Sequence, residues 1–336
     1  MNRDHLLYAA AAVAVALALL APFITAPSQG ESLPMVYIIY EYGKGDLSYT
    51  DSAYRGLFAA QEALPFVKRE FVSTEPTTIT TLQNITGPER PGLVITIGDN
   101  FSDTTRQLAG ENPDVFFLAI DQAGIGSENI QAYEITAYGG SYLAGVLAAS
   151  ATRTKKVGIL LGMRSELLDA FHAGYRDGAR AVDPSVTLVV TYVNETSTQG
   201  FTDPVRGAEL AGSMYRDGTD IIYTVAGFSG TGAITEARRS PGRYIIGVDA
   251  DQTHLGPTVV LASAVKRVDR AVYSGIGTYL NGTFTGGNTV AGLSGGMTTL
   301  SFNPKFAAYA ETVGSHEEEA RAGELQYLAS RKNRGQ

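Results

Sequence analysis

The sequence contains no cysteine. That excludes disulfides, thiolate metal sites, a thiol nucleophile and lipid attachment through an N-terminal cysteine. Histidine is scarce: His5, His172, His254 and His316 are dispersed, and none sits beside a G-x-S-x-G elbow or in an H-E-x-x-H helix. Serine-hydrolase and zinc-protease signatures are thus missing, whereas a glycosidase-type carboxylate pair depends on spatial separation and stays open at this level. Clusters of basic charge are also missing. The 26 Lys and Arg residues are scattered in a chain of net charge −8, which leaves no electrostatic footprint for a nucleic-acid partner. No repeat period marks a solenoid.

What is present begins with an apolar N-terminus. Residues 6–21 are rich in Ala, Leu and Val, follow Arg3, and continue past Pro22 to Ala26. The length straddles a membrane span and a secretory signal, and the poor small-residue site at Ile24-Thr25-Ala26 favours an uncleaved anchor. Either way the chain from about residue 30 is expected outside the cell membrane, secreted or held on its extracytoplasmic face. Four sequons, at Asn84, Asn100, Asn194 and Asn281, are compatible with glycosylated surface loops.

Beyond a polar linker at 27–34, apolar strand candidates at 35–40, 92–97, 115–120, 156–161, 186–192, 221–225 and 244–248 alternate with helical patterns. The helices are expected at 52–63, 101–110, 140–151, 166–182, 203–217, 231–239 and 268–280. Such alternation predicts an α/β protein with parallel sheets covered on both faces. A chain of 336 residues exceeds what one core usually serves, so two lobes are expected. The charged segment 152–156 reads as the break, the Gly-rich stretch 282–296 as a loop and further crossing, and the tail beyond 310 as a mostly solvated helix.

Polar residues recur where these strands end, the place where open α/β sheets build ligand sites. The loop 45–56 (GDLSYTDSAYRG) follows the first strand and opens a helix. Asp121 ends a second strand, the segment 225–232 (VAGFSGTG) a third, Asp249 a fourth, and Lys266 follows an apolar run. Each has a plain alternative: Asp121 and Asp249 are good helix caps, and Lys266 could be a solvated charge. The 227–232 glycines lack the Lys-Ser/Thr ending of a P-loop, and Asp249 with Asp251 offers too few oxygens for a calcium loop. No metal or cofactor is implied.

Nine motifs occur in order: 45–56, NPDVFFLAID at 112–121, GSYLAGVLA at 140–148, KVGI at 156–159, AFHAG at 170–174, FTDP at 201–204, GTDII at 218–222, VDADQ at 248–252 and SAVKRVD at 263–269. Over 36–302 the chain thereby resembles the basic membrane protein family of ABC-importer substrate-binding proteins, which includes purine-nucleoside-binding surface lipoproteins. The resemblance implies a type I periplasmic-binding-protein fold: two doubly wound parallel-sheet lobes joined by three crossover segments around a ligand cleft. It places lobe 1 at 34–152 plus 262–288, lobe 2 at 153–261 plus 289–310, and a C-terminal helical tail at 311–336.

By the same resemblance, Tyr49 stacks on a base and Thr50 stands where the family has a base-binding asparagine, a departure that leaves one hydroxyl for the base edge. Asp121 reaches the base, Asp249 and Lys266 grip ribose hydroxyls, and Phe228 or Phe201 supplies the opposite stacking face. Asp46 and Gly227 complete the implied ligand-binding set. The expected partners are a nucleoside or similar small polar ligand, an ABC permease, and the membrane through the N-terminal segment. A membrane-tethered ligand sensor of the same fold is the alternative function.

Overall fold

The structure, a computed structural model, describes residues 32–41, 43–72 and 90–334. The expected N-terminal anchor segment 6–26 and the Asn84 sequon lie outside the described residues. Lobe 1 is built from β1 (Met35–Tyr40), α1 (Tyr49–Ala63), β2 (Val67–Val72), β3 (Leu93–Ile97), α2 (Ser102–Glu111), β4 (Phe116–Ile120) and β5 (Ile130–Ile135). The chain then crosses to lobe 2: α3 (Tyr138–Ala151), β6 (Lys156–Leu161), α4 (Glu166–Val182), β7 (Thr187–Tyr192), α5 (Pro204–Arg216), β8 (Ile221–Val225), α6 (Ser229–Arg239), β9 (Tyr244–Asp249) and β10 (Val260–Lys266). It returns to lobe 1 for α7 (Val268–Leu280) and β11 (Gly287–Ala291), and ends in lobe 2 with β12 (Thr298–Phe302), α8 (Ala310–Gly314) and α9 (Glu317–Arg334).

The two six-stranded sheets run β11-β5-β4-β3-β1-β2 and β12-β10-β9-β8-β6-β7. All pairings are parallel except β10 with β12. Strands β1, β3, β6, β8 and β9 are buried over almost their full length, because helices cover both faces of each sheet; their unbroken Val and Ile runs follow from that. The edge strands β2 (VKREFV), β11 (GNTVA) and β12 (TTLSF) escape a search for apolar runs. Their residues alternate between the sheet and solvent, so their composition is polar.

The lobe boundaries differ from the expected ones. The first crossing lies at 136–137 and not near Thr152, because α3 packs on lobe 2: Tyr138, Leu143, Val146 and Leu147 share a core with Val157, Ile159, Tyr175 and Val248. The charged stretch 152–156, which reads as a linker, is a tight turn within that lobe. The Asp220 carboxylate accepts from Thr152 Oγ1 at 2.6 Å and from the Arg153 and Thr154 N–H groups at 2.6 and 3.2 Å. All of β10 belongs to lobe 2 and all of β11 to lobe 1, so the second and third crossings fall at 267 and 292–297. The tail is docked as well: Val313 and Ala320 lie in the lobe 2 core.

Helices α3 and α4 approach at backbone distance. A Cβ on Gly178 would lie 1.9 Å from the Tyr142 carbonyl oxygen, one on Gly145 2.1 Å from that of Tyr175, and one on Gly174 2.2 Å from that of Tyr138. Gly178→Ala should therefore lower unfolding free energy by about 2 kcal/mol or more in urea titration. Gly110→Ala, in an exposed helix with open space around the new methyl, should be neutral or stabilising by roughly 0.5 kcal/mol. Equal stabilities for the two variants would refute the close-approach account.

Candidate functional site in the interlobe cleft

The loop after β1 folds around two carboxylates. Asp46 accepts from the N–H groups of Ser48 and Asp51 through Oδ1, at 3.0 and 3.1 Å, and from that of Thr50 through Oδ2, at 2.8 Å. Asp51 answers by accepting from Gly45 and Leu47 at 2.8 and 2.9 Å. These bonds satisfy orphan donors at the start of α1 and stabilise Leu47 in a left-handed conformation, φ +53°. Asp46 thus builds the loop, while Tyr49 and Thr50 are presented to the cleft.

Two further carboxylates occupy corresponding positions in the lobes, Asp121 just past β4 and Asp249 at the end of β9, both with φ +60°. Non-glycine residues adopt this region at an energetic cost. Their partners differ. Asp121 is bonded at both oxygens: Oδ1 accepts from the Ile135 N–H at 3.0 Å, and Oδ2 accepts from Lys266 Nζ at 2.5 Å in a pair whose side chains are 0% and 3% exposed. Asp249 Oδ2 accepts from Ser48 Oγ at 2.9 Å, across the lobe boundary, but Oδ1 is buried with no protein partner. Burial drives the Asp249 carboxyl up to about 6; Lys266 and the Ser48 bond oppose that rise, and Asp46 and Asp121 add to it.

Gln252 is a further tie between the lobes, donating from Nε2 to the Leu47 carbonyl at 3.1 Å while its Oε1 accepts from the Val248 N–H. Lys266 Nζ lies 5.5 Å from the Tyr49 ring centroid and 5.8 Å from that of Phe171, so its charge faces two π surfaces. The Tyr49 hydroxyl is buried beside the Asp121 carboxylate. Desolvation, then the Asp121 charge and a hydrogen bond to it, hold the phenol well above its usual range, so it stays protonated.

These groups surround a cavity of about 550 Å³, the size of a small-molecule site. Of the expected residues, Asp46, Tyr49, Thr50, Phe201, Gly227, Phe228, Asp249 and Lys266 line it. Asp121 does not. Its oxygens accept from Ile135 and Lys266, a placement suited to holding Lys266, while Asp249, expected with Lys266 at the ribose hydroxyls, is bonded to Ser48. Both Phe201 and Phe228 are present, and α4 adds Phe171, Leu167 and Leu168 to the apolar wall.

Sequence reasoning overlooked Ser48, because a small hydroxyl beside a helix start reads as a cap. Asp99 and Asn100 also line the cleft, at the end of β3, where the strand-end rule could have found them. Partial desolvation and the Asp121 charge hold the Asp99 carboxyl above its ordinary range. Asn100, read as a sequon, donates to Glu41 in the cavity wall.

The family described as ABC transporter substrate-binding protein PnrA-like matches residues 34–318. Basic membrane protein A of Borreliella burgdorferi is 33% identical over 290 residues, which cover 84% of this chain and 83% of that protein. The ABC transporter nucleoside-binding protein BmpA of Lactococcus lactis subsp. cremoris is 30% identical over 268 residues, 74% of this chain and 75% of the relative. Among solved structures, an ABC transporter system solute-binding protein from Aeropyrum pernix K1 superposes with a TM-score of 0.73 at 25% identity, covering 85% of this chain and 86% of its own. Similarity that extends across both lobes and every crossing has one reading: the chain belongs to the Bmp family of PnrA-like ABC transporter substrate-binding proteins.

Proposed function

We propose that the ligand is a nucleoside, with purine nucleosides preferred, captured in the interlobe cleft outside the cell membrane and delivered to the permease of an ABC importer, the N-terminal segment serving as tether. One observation carries this reading: Asp249 Oδ1 is a buried carboxylate oxygen with no protein donor, in the wall of an aromatic-lined cavity. Leaving such an acceptor unpaired is expensive, and a ligand bearing vicinal hydroxyls supplies the missing donors.

The rest of the lining suits the other half of a nucleoside. Tyr49 from lobe 1 and the phenylalanines at 171, 201 and 228 from lobe 2 offer ring faces to a planar base, each stacking contact being worth about 1–3 kcal/mol. Thr50 supplies a hydroxyl for the base edge, and Lys266 is held toward the cleft by Asp121. The name of the Lactococcus lactis relative, a nucleoside-binding protein, supports the same ligand class.

In a thermal-shift panel on residues 30–336, guanosine, inosine or adenosine at about a hundredfold over Kd should stabilise the protein by roughly 2.7 kcal/mol. A shift with amino acids or free sugars and none with nucleosides would overturn the assignment. Asp249→Ala should weaken nucleoside binding at least tenfold more than free-base binding; equal losses would remove Asp249 from the ribose contact.

The pH dependence has two opposite signs. Binding uses the ionised carboxylate, so with a carboxyl at about 6 affinity should be constant above neutrality and fall roughly tenfold per pH unit below 6. Ligand-free stability behaves inversely at this group. Its folded-state value is raised from 3.8 to about 6, so its contribution is present below 3.8 and is lost as pH rises through 6. Asp249→Asn should accordingly raise the ligand-free Tm at pH 7, by roughly 2–6 °C, while abolishing the pH dependence of binding. A Tm equal to or below the parent's would contradict the cost assigned to the unpaired oxygen.

A further inference from the structure

The C-terminal helix α9 contacts the chain at a place that ligand binding does not explain. Glu324 is 3% exposed, and its Oε2 accepts two backbone N–H groups, from Gly139 at 3.1 Å and from Leu293 at 3.2 Å. Gly139 stands in the first turn of α3, directly after the first crossing, and Leu293 stands in the third. A Cβ on Gly139 would lie 2.7 Å from that oxygen and one on Gly292 2.3 Å from it, so both segments are glycine where the carboxylate enters.

The neighbouring residues of α9 extend the same arrangement. Arg321 Nη1 donates to the Leu293 carbonyl at 3.1 Å. Tyr327 stacks on Tyr138, with centroids 5.1 Å apart and planes 24° apart, and Ala320 is fully buried against lobe 2. Near the end of α9, Arg331 donates to Glu134 on β5, in lobe 1. One helix is thus packed on lobe 2, bonded to the backbone of one crossing and to the exit of another, and ion-paired to lobe 1. Burial raises the Glu324 carboxyl above its ordinary range, while the bonds from Leu293 and Gly139 pull it down by favouring the ionised form.

We propose that α9 is a hinge clasp, in which Glu324 joins the first and third crossings and Arg331 fastens lobe 1, so that together they limit how far the cleft opens. Opening requires the crossings to change their backbone angles and their mutual position. A single oxygen that accepts from both sides of the hinge must release at least one donor when they move. Charge-assisted bonds in a buried setting are the strong kind, so the clasp resists that motion. The affinity of any cleft ligand scales with the binding-competent fraction, so a residue outside the cavity controls it. The proposal does not rest on the nucleoside reading.

The absence of cysteine makes the test direct. Spin labels at Asp103→Cys in lobe 1 and Val205→Cys in lobe 2, both exposed positions, report the interlobe distance by double electron–electron resonance in the ligand-free full-length chain. Glu324→Ala should broaden the distribution and raise the longer-distance population roughly tenfold over the parent. Arg331→Ala should act in the same direction with a smaller change. If Glu324→Ala does not fold, Arg331→Ala decides, since its side chain is 29% exposed and its loss leaves the crossings' own bonds intact. A lowered Tm with an unchanged distance distribution would make these residues purely structural and overturn the clasp.

Discussion

The buried pair between Lys266 and Asp121 is the constraint on which the cleft depends. One partner ends the last parallel strand of lobe 2 and the other follows β4 in lobe 1, so the bond spans the two lobes at the floor of the site. Removing two charges from water consumes much of what their attraction returns, so the pair adds little net stability. Its effect is positional. A lysine free to roam would neutralise Asp249 and fill the cavity with its own stem; held by Asp121, it presents charge to the faces of Tyr49 and Phe171 and leaves Asp249 available.

The remaining polar groups at the cleft divide into those that build and those that wait. Asp46 and Asp51 spend their acceptors on backbone N–H groups and set the loop that carries Tyr49. Ser48 spends its proton on Asp249, which fixes one carboxylate oxygen and frees the other. A site made this way keeps a raised carboxyl and an unpaired acceptor in the ligand-free state, at a cost in stability.

Much of this was legible in the sequence, for definite reasons. Strands buried on both faces must be apolar throughout, so β1, β3, β6, β8 and β9 announce themselves, and the rule that ligands meet strand ends led to Tyr49, Asp249 and Lys266. Asp121 was found by the same rule, but its bond to Lys266 was not foreseen, because a carboxylate's neighbours across a lobe boundary are set by tertiary packing. The lobe boundary was misjudged for a related reason: Arg153, Lys155 and Lys156 look like a linker, and the buried Asp220 that turns them into a loop lies far along the chain. The tail of α9 reads as solvated because its buried residues are few, and the most consequential, Glu324, is a charged type that composition assigns to water.

The strand order of one lobe repeats in the other, and Asp121 and Asp249 fall on matching strands with the same left-handed turn. Such repetition alone would make the two lobes equivalent at these carboxylates. Lysine at the end of β10 breaks the equivalence by capping one carboxylate. Of these two carboxylates Asp249 alone keeps an oxygen without a protein donor, so the cleft has a polarity that its repeated topology lacks.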